Sequence, residues 1–201
     1  MLFKFIKANK AIEDEEFDHI YPEAIREVAD THFTPIQVSK FAARALADRP
    51  NIKILDIGSG VGKFCTIGSV CSEGYFVGVE QRTGLCNIAK GICSRYNLTN
   101  VEIINANILD ISFTDFEAFY FFNPFQENLS VAEKIDDEVE LRRELFYEYS
   151  LFVKEQLAAM PTGTKIVTYY SFLREIPESY TLKSSAFNEK LKVWEKTDER
   201  Q

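Results

Sequence analysis

Three glycines at alternate positions follow an acidic residue in the stretch IKILDIGSGVGKF, and this spacing suits the binding of a nucleotide-type ligand. Asp56 stands two positions before Gly58, and Gly60 and Gly62 follow. Glycine lets a backbone turn sharply and approach a ligand closely, so we expect backbone N–H groups to be available as donors here. The alternative is a tight strand-to-helix turn that binds nothing.

The glycine spacing differs from the fingerprint of NAD-binding proteins. That fingerprint is GxGxxG, but here the third glycine comes one position early and Lys63 takes its place. The DxGxGxG pattern instead resembles the first motif of class I methyltransferases that depend on S-adenosylmethionine (SAM), in which the glycines face the methionine moiety. The resemblance implies a set of SAM-binding residues here, namely Asp56, Gly58, Ser59, Gly60 and Gly62.

A second acidic residue, Glu80, ends the next apolar run, GYFVGVE. It comes eighteen residues after Gly62, close to the spacing at which such folds place a carboxylate on a ribose. A carboxylate can accept hydrogen bonds from both vicinal hydroxyls of the sugar. We therefore predict that Glu80 and its neighbour Gln81 contact the cofactor, the alternative being a surface glutamate that ends a strand.

Asn107 follows the third apolar run, in the stretch NANILD. The methyltransferase family usually carries an acidic residue here that meets the adenine amino group, and the amide oxygen of Asn107 can accept from the same amine. The resemblance thus implies that Asn107 and Ile108 border the adenine. Two alternatives remain open: Asp110 takes this role, or Asn107 caps a turn.

The sequence AFYFFNPF places Asn123, Pro124 and Phe125 at the end of a fourth strand. It resembles the [DNS]PP[YF] motif of methyltransferases that act on nitrogen, with one proline missing. The resemblance implies that the Asn123 side chain and the Pro124 carbonyl accept hydrogen bonds from the target nitrogen, that Phe125 stacks on a flat acceptor, and that Asn123 also borders the cofactor. The alternative is a turn that merely ends the strand.

Neutral acceptors are sufficient for a nitrogen target, because methyl transfer depends on alignment and the nitrogen lone pair needs no strong base. An oxygen target would favour a histidine or a carboxylate as base, and His19 and His32 are the only histidines.

The segment THFTPIQVSKFAARALAD predicts a helix capped by Thr34, with Pro35 in its first position. Its FTP sequence resembles the region before the first motif in several nitrogen methyltransferases, which implies that Thr34 and Pro35 border the methionine end of SAM. Upstream, residues 17–30 carry apolar side chains at mostly helical spacing. We expect residues 1–33 to form a helical segment that is a candidate lid, and residues 34–201 to form the methyltransferase part of a single domain.

The elements that must position these residues alternate along the chain. Five strand patterns, at residues 52–57, 74–80, 101–106, 116–122 and 164–172, are separated mainly by helix-length segments, including 83–96 and 130–160. This order predicts an α/β fold with a doubly wound, mostly parallel sheet and helices on both faces. Two further strands, at 179–185 and 190–196, complete seven, and the methyltransferase resemblance implies that they form a closing antiparallel hairpin.

Composition narrows the function further. The 201 residues, 46% of them hydrophobic, can bury one substantial core, and the net charge of −8 disfavours a nucleic-acid partner. We expect a cytoplasmic enzyme because no apolar segment reaches the length of a membrane span, and we expect no metal because Cys65, Cys71, Cys86 and Cys93 lack ligand spacing. The sequence therefore predicts SAM-dependent transfer of a methyl group to a nitrogen of a protein side chain or small molecule. A non-catalytic SAM-binding module and, less favoured, an NAD-dependent oxidoreductase are the alternatives.

Overall fold

The strands form a single seven-stranded sheet across residues 2–130 and 134–197, the part of the chain that the computed structural model describes. They are β1 Lys53–Ile57, β2 Tyr75–Glu80, β3 Val101–Asn105, β4 Ala118–Phe122, β5 Lys165–Tyr169, β6 Tyr180–Ala186 and β7 Leu191–Lys196. Their spatial order is β3-β2-β1-β4-β5-β7-β6. The first five strands pair in parallel and β7 joins β5 and β6 in antiparallel fashion, so the predicted fold class and C-terminal hairpin are confirmed.

Helices cover both faces of this sheet because successive residues of its central strands are apolar and point to opposite sides. Leu55 packs in a core cluster with residues of helix α8, Arg143–Ala159, whereas Ile54 packs with α5, Ile36–Leu46, and α6, Lys63–Cys71. Helix α7, Thr83–Tyr96, has the predicted bounds. Four short helices precede these: α1 Leu2–Lys7, α2 Asp14–Asp18, α3 Glu23–Arg26 and α4 Ala29–His32. Within the described residues, no helix combines the length and apolarity needed to cross a membrane.

The helix predicted over residues 130–160 is shorter than expected, and this part of the prediction was wrong. Helix α8 begins at Arg143, and residues 134–142 form an irregular segment, while residues 131–133 lie outside the described part. Local propensity is overridden here because Asp136 and Glu138 bind groups at the start of α7 instead of facing solvent on a helix.

Helix α5 also begins differently from the prediction. Pro35 precedes the helix rather than occupying its first turn, and the Thr34 hydroxyl bonds the Tyr120 hydroxyl at 2.8 Å rather than capping. The first helical N–H, that of Ile36, donates to the Asp14 carboxylate at 2.9 Å. The cap therefore comes from a residue far upstream.

The N-terminal helices pack on the same side of the sheet as α6 and α7. Phe3, Phe17 and Phe33 join an apolar cluster with residues of α6 and α7. The buried ammonium of Lys63 lies 2.8 Å from the Asp14 carboxylate and 2.7 Å from that of Asp18. This segment is thus held against the glycine turn, and its proposed action as a lid stays a prediction.

Candidate functional site

A cavity of about 340 Å³ opens where the carboxyl ends of β1, β2 and β4 meet. Ligands of open α/β sheets bind at this edge. A smaller cavity of about 40 Å³ adjoins it and shares Gly58, Glu80 and Pro124 in its lining. Most of the predicted site residues line one or both cavities, namely Gly58, Gly60, Glu80, Gln81, Asn107, Ile108, Asn123, Pro124 and Phe125.

The glycine turn is bonded to the protein more fully than the sequence suggested. The N–H groups of Gly58 and Ser59 donate to the Val79 carbonyl at 3.0 and 2.9 Å, and that of Gly62 donates to the Ser59 carbonyl at 2.9 Å. The Gly60 N–H donates to Glu80 at 3.1 Å. These four groups are engaged within the protein, so they do not serve a ligand as donors, contrary to the prediction from the sequence.

The missing side chains of the glycines make room for the protein itself. All three glycines have positive φ, with 71° at Gly58, 54° at Gly60 and 71° at Gly62. A Cβ atom on Gly58 would lie 2.6 Å from the Cβ of Pro124, and one on Gly60 would lie 3.1 Å from the ring of Phe33. Gly58 therefore brings the first motif into direct contact with the predicted acceptor site.

Glu80 is 6% exposed and lies between the two cavities. One carboxylate oxygen accepts from the Gly60 N–H at 3.1 Å and the other from the Arg82 N–H at 2.9 Å. Burial raises the pKa of Glu80, and the bonds from Arg82 and Gly60 partly offset this rise. A carboxylate has about four lone-pair sites, so two remain for the hydroxyls of a ligand.

Arg82 lines the same cavities, although sequence reasoning missed it. Its guanidinium is buried and donates to Glu127 at 3.1 Å and to Asp136 at 2.9 Å. These partners lie far along the chain. Only the position of Arg82 two residues after Glu80 could have indicated from the sequence that Arg82 lies at the site.

The side-chain amide of Asn107 is engaged at both ends. Its oxygen accepts from the Leu109 N–H at 3.0 Å, and its nitrogen donates to the Tyr149 hydroxyl at 2.9 Å. The structure thus contains the turn cap that was left open as an alternative. Asn107 and the buried Ile108 still line the smaller cavity, so contact with an adenine stays a prediction.

The NPF sequence divides between the two cavities. Asn123, with a φ of 44°, directly follows β4 and lines the larger cavity with Pro124. Phe125 is buried in the core, with its ring centroid 5.3 Å from that of Tyr149, and lines the smaller cavity. The sequence predicts that Phe125 stacks on a flat acceptor. An acceptor in the larger cavity would need a ring that lines that cavity, and Phe125 is not part of its lining. Phe122 and Tyr170, which the sequence did not single out, line it beside Asn123.

A third, small polar cavity of about 20 Å³ lies behind the glycine turn, lined in part by Thr34, Asp56 and Ser59. The Cys65 thiol donates to the buried Asp56 carboxylate at 3.4 Å, and burial raises the pKa of Asp56 to about 7. Pro35 contributes to none of the described cavities and instead sets the start of α5.

No protein-family model and no curated protein matches the sequence. Solved structures of similar fold include TrmN from Thermus thermophilus, with a TM-score of 0.59 and 16% identity over 85% of this chain and 52% of that one. An RNA methyltransferase from Salinibacter ruber in complex with S-adenosylhomocysteine gives 0.56 and 17% over 84% and 95%. A precorrin-6y C5,15-methyltransferase from Geobacter metallireducens gives 0.59 and 12% over 93% and 98%. This chain spans about half the length of the Thermus protein, and it has the class I SAM-dependent methyltransferase fold.

Proposed function

We propose that this protein is a SAM-dependent methyltransferase that acts on a nitrogen atom. The observation that carries the proposal is the position of Glu80. Its buried carboxylate lies at the carboxyl end of β2, beside the glycine turn, with acceptor capacity left for the two hydroxyls of a ribose. The engaged N–H groups of the turn favour a ligand without phosphate over a dinucleotide.

We assign the parts of SAM to the two cavities. Glu80 would hold the ribose, and the apolar side chains of Ile108 and Phe125 would border the adenine in the smaller cavity. Gly58 and Gly60 would border the methionine moiety in the larger one. When bound, SAM supplies an electrophilic methyl group on a sulfonium sulfur.

The chain's own contribution to transfer would be alignment. Asn123 and Pro124 line the larger cavity, where the Asn123 amide oxygen and the Pro124 carbonyl would accept hydrogen bonds from the acceptor nitrogen. Holding an N–H in this way directs the lone pair toward the methyl group. The rings of Phe122 and Tyr170 would border the acceptor on this side.

For the acceptor we favour a protein side chain or a small amine. Asp30, Glu80 and Glu127 line the larger cavity with Arg82, and the whole chain carries a net charge of −8. This charge balance supports a neutral or cationic acceptor more than a polyanion. RNA nevertheless belongs among the tested acceptors, since an RNA methyltransferase shares the fold.

Two measurements test the proposal. Calorimetry with S-adenosylhomocysteine should show binding that Glu80→Ala weakens by about 2 kcal/mol or more, because the ribose would lose a charged acceptor. Tritiated methyl transfer from SAM into protein, small-molecule and RNA fractions of a lysate should label a protein or small-molecule fraction. Asn123→Gly, which tolerates the positive φ, should reduce the transfer of label far more than it weakens binding of S-adenosylhomocysteine.

The outcomes separate the alternatives. Binding without label in any fraction would leave a non-catalytic SAM-binding module. Binding of NAD in place of S-adenosylhomocysteine would point to an oxidoreductase and contradict the proposal. Label in the RNA fraction alone would keep the methyltransferase and overturn the favoured acceptor class.

A further inference from the structure

Arg82 is a buried cation among carboxylates at the edge of the proposed ribose site. Its side chain is 4% exposed and lies 3.9 Å from Glu80, while its nitrogens donate to Glu127 and Asp136. We infer that Arg82 is a positioning residue that holds residues 135–138 against the end of β2 and keeps the Glu80 carboxylate oriented for the ribose. The inference rests on the proposed function.

The contacts of Arg82 join three separate parts of the chain. One guanidinium nitrogen lies 3.1 Å from both carboxylate oxygens of Glu127, in the turn after β4, and another lies 2.9 Å from Asp136. The backbone N–H of Arg82 donates to Glu80, at the end of β2. A single residue thus connects the proposed cofactor site, through its backbone N–H, with the segment that follows the acceptor site, through its side chain.

Glu127 and Glu138 complete this connection. The Glu127 carboxylate accepts from the Ile135 N–H at 2.7 Å, which places Ile135 in the lining of the larger cavity. The Glu138 carboxylate accepts from the N–H groups of Thr83 and Gly84 at the start of α7, where a negative charge is favourable. The wall of the cavity therefore depends on ion pairs centred on Arg82.

The charges around Glu80 give Arg82 a second effect. Burial raises the pKa of Glu80 and the positive charge of Arg82 lowers it, while Glu127 raises it. Loss of the positive charge of Arg82 would raise the pKa of Glu80 further, and a protonated Glu80 could no longer accept from both hydroxyls. The titratable or charged groups near Glu80 are Asp56 on β1, Arg82 after β2, Cys86 on α7 and Glu127 after β4, with Asp30 and His32 in the lining of the same cavity.

The test is calorimetric binding of S-adenosylhomocysteine to the full chain between about pH 6 and about pH 8. We expect Arg82→Gln to weaken binding roughly tenfold at the upper pH, as for loss of a charge-assisted contact. Its affinity should fall more steeply than that of the wild type as the pH decreases, and Arg82→Lys should recover part of the loss. Adding Glu80→Gln to Arg82→Gln should remove the extra pH dependence, because residue 80 then no longer titrates. Asp56 and the other groups titrate in the single and the double variant alike, so they cannot cause the difference between the two.

The control is Arg49→Gln, which removes an exposed arginine that pairs with Asp48 and Glu117, and it should leave binding unchanged. Failure of the wild type to bind would refute the proposed function rather than this inference. If the wild type binds and Arg82→Gln matches it at every pH, or loses the same factor at every pH, the inference is wrong. Should Arg82→Gln not fold, Asp136→Asn, at a partly exposed carboxylate, is expected to weaken binding several-fold, and unchanged affinity would overturn the inference.

Discussion

The contact between Gly58 and Pro124 gives a prediction that joins the donor and acceptor sides of the site. Replacing Gly58 with alanine adds a Cβ atom 2.6 Å from the Cβ of Pro124, on a residue whose φ is 71°. Pro124 must then move away from the glycine turn. We expect Gly58→Ala to destabilise the protein and to reduce methyl transfer more than it reduces binding of S-adenosylhomocysteine.

The loss of unfolding free energy expected for Gly58→Ala has two parts. An alanine with left-handed φ costs about 1–2 kcal/mol relative to glycine. Carbon atoms in contact normally lie about 3.5–4.0 Å apart, so the new Cβ and Pro124 must separate by about 1 Å. Overpacking of this kind costs about 1–3 kcal/mol. Together the free energy of unfolding should fall by about 2–5 kcal/mol.

Urea unfolding of three alanine variants separates these parts. Gly163 has a φ of 87° with no atom within 4 Å of its added Cβ, so Gly163→Ala should show the backbone cost alone. Gly91 lies in α7, also with nothing within 4 Å, and Gly91→Ala should stabilise by about 0.5–1 kcal/mol. If Gly58→Ala is no more destabilising than Gly163→Ala, the contact with Pro124 does not constrain the turn.

Three further predictions concern buried and half-buried polar groups. Lys63→Met should lower the free energy of unfolding by about 3 kcal/mol, because it leaves the buried Asp18 carboxylate unpaired; a loss below about 1 kcal/mol in urea unfolding would contradict this. Burial raises the pKa of Asp56 to about 7, so the folded protein keeps this proton to a higher pH than the unfolded chain does. The wild type should therefore lose stability relative to Asp56→Asn as the pH rises from about 4 to about 7. Parallel curves of stability against pH for the two proteins would argue against the raised pKa. Asn107→Ala should lower the free energy of unfolding by about 1–2 kcal/mol, because it removes a turn cap and the hydrogen bond to the Tyr149 hydroxyl. Tyr149→Phe should lower it by about half of that, because it removes only the hydrogen bond. Thermal melts check this ratio, and equal losses would show that the cap is unimportant.

The sequence predicted those features that local pattern determines. The strand bounds depend on short apolar runs, and the end of α7 coincides with Asn97, whose φ of 52° suits asparagine better than most residues. The position of Glu80 at the end of β2 and the sharp turn at the glycines follow from residue type and spacing. For this reason the parallel sheet could be predicted, together with the edge of the sheet where the cavities lie, whereas the antiparallel hairpin was implied by the methyltransferase resemblance.

Features set by distant partners were not predictable. The region before α8 is irregular because Arg82, more than forty residues upstream, binds Glu127 and Asp136. Phe125 turns into the core because Tyr149 of α8 packs against it, and no motif shows which ring will be buried. The engagement of the glycine N–H groups also depends on a neighbouring strand, through the Val79 carbonyl.

The double role of Asp14 bears on how this chain could be divided. Its carboxylate caps α5 through the Ile36 N–H and also pairs with Lys63 at the start of α6. Expression of residues 34–201 alone would leave that N–H without its cap and Lys63 without Asp14 and Asp18, so the shortened chain would need compensating substitutions to stay folded. The boundary that the sequence suggested between residues 33 and 34 is therefore a poor place for a truncation or a fusion.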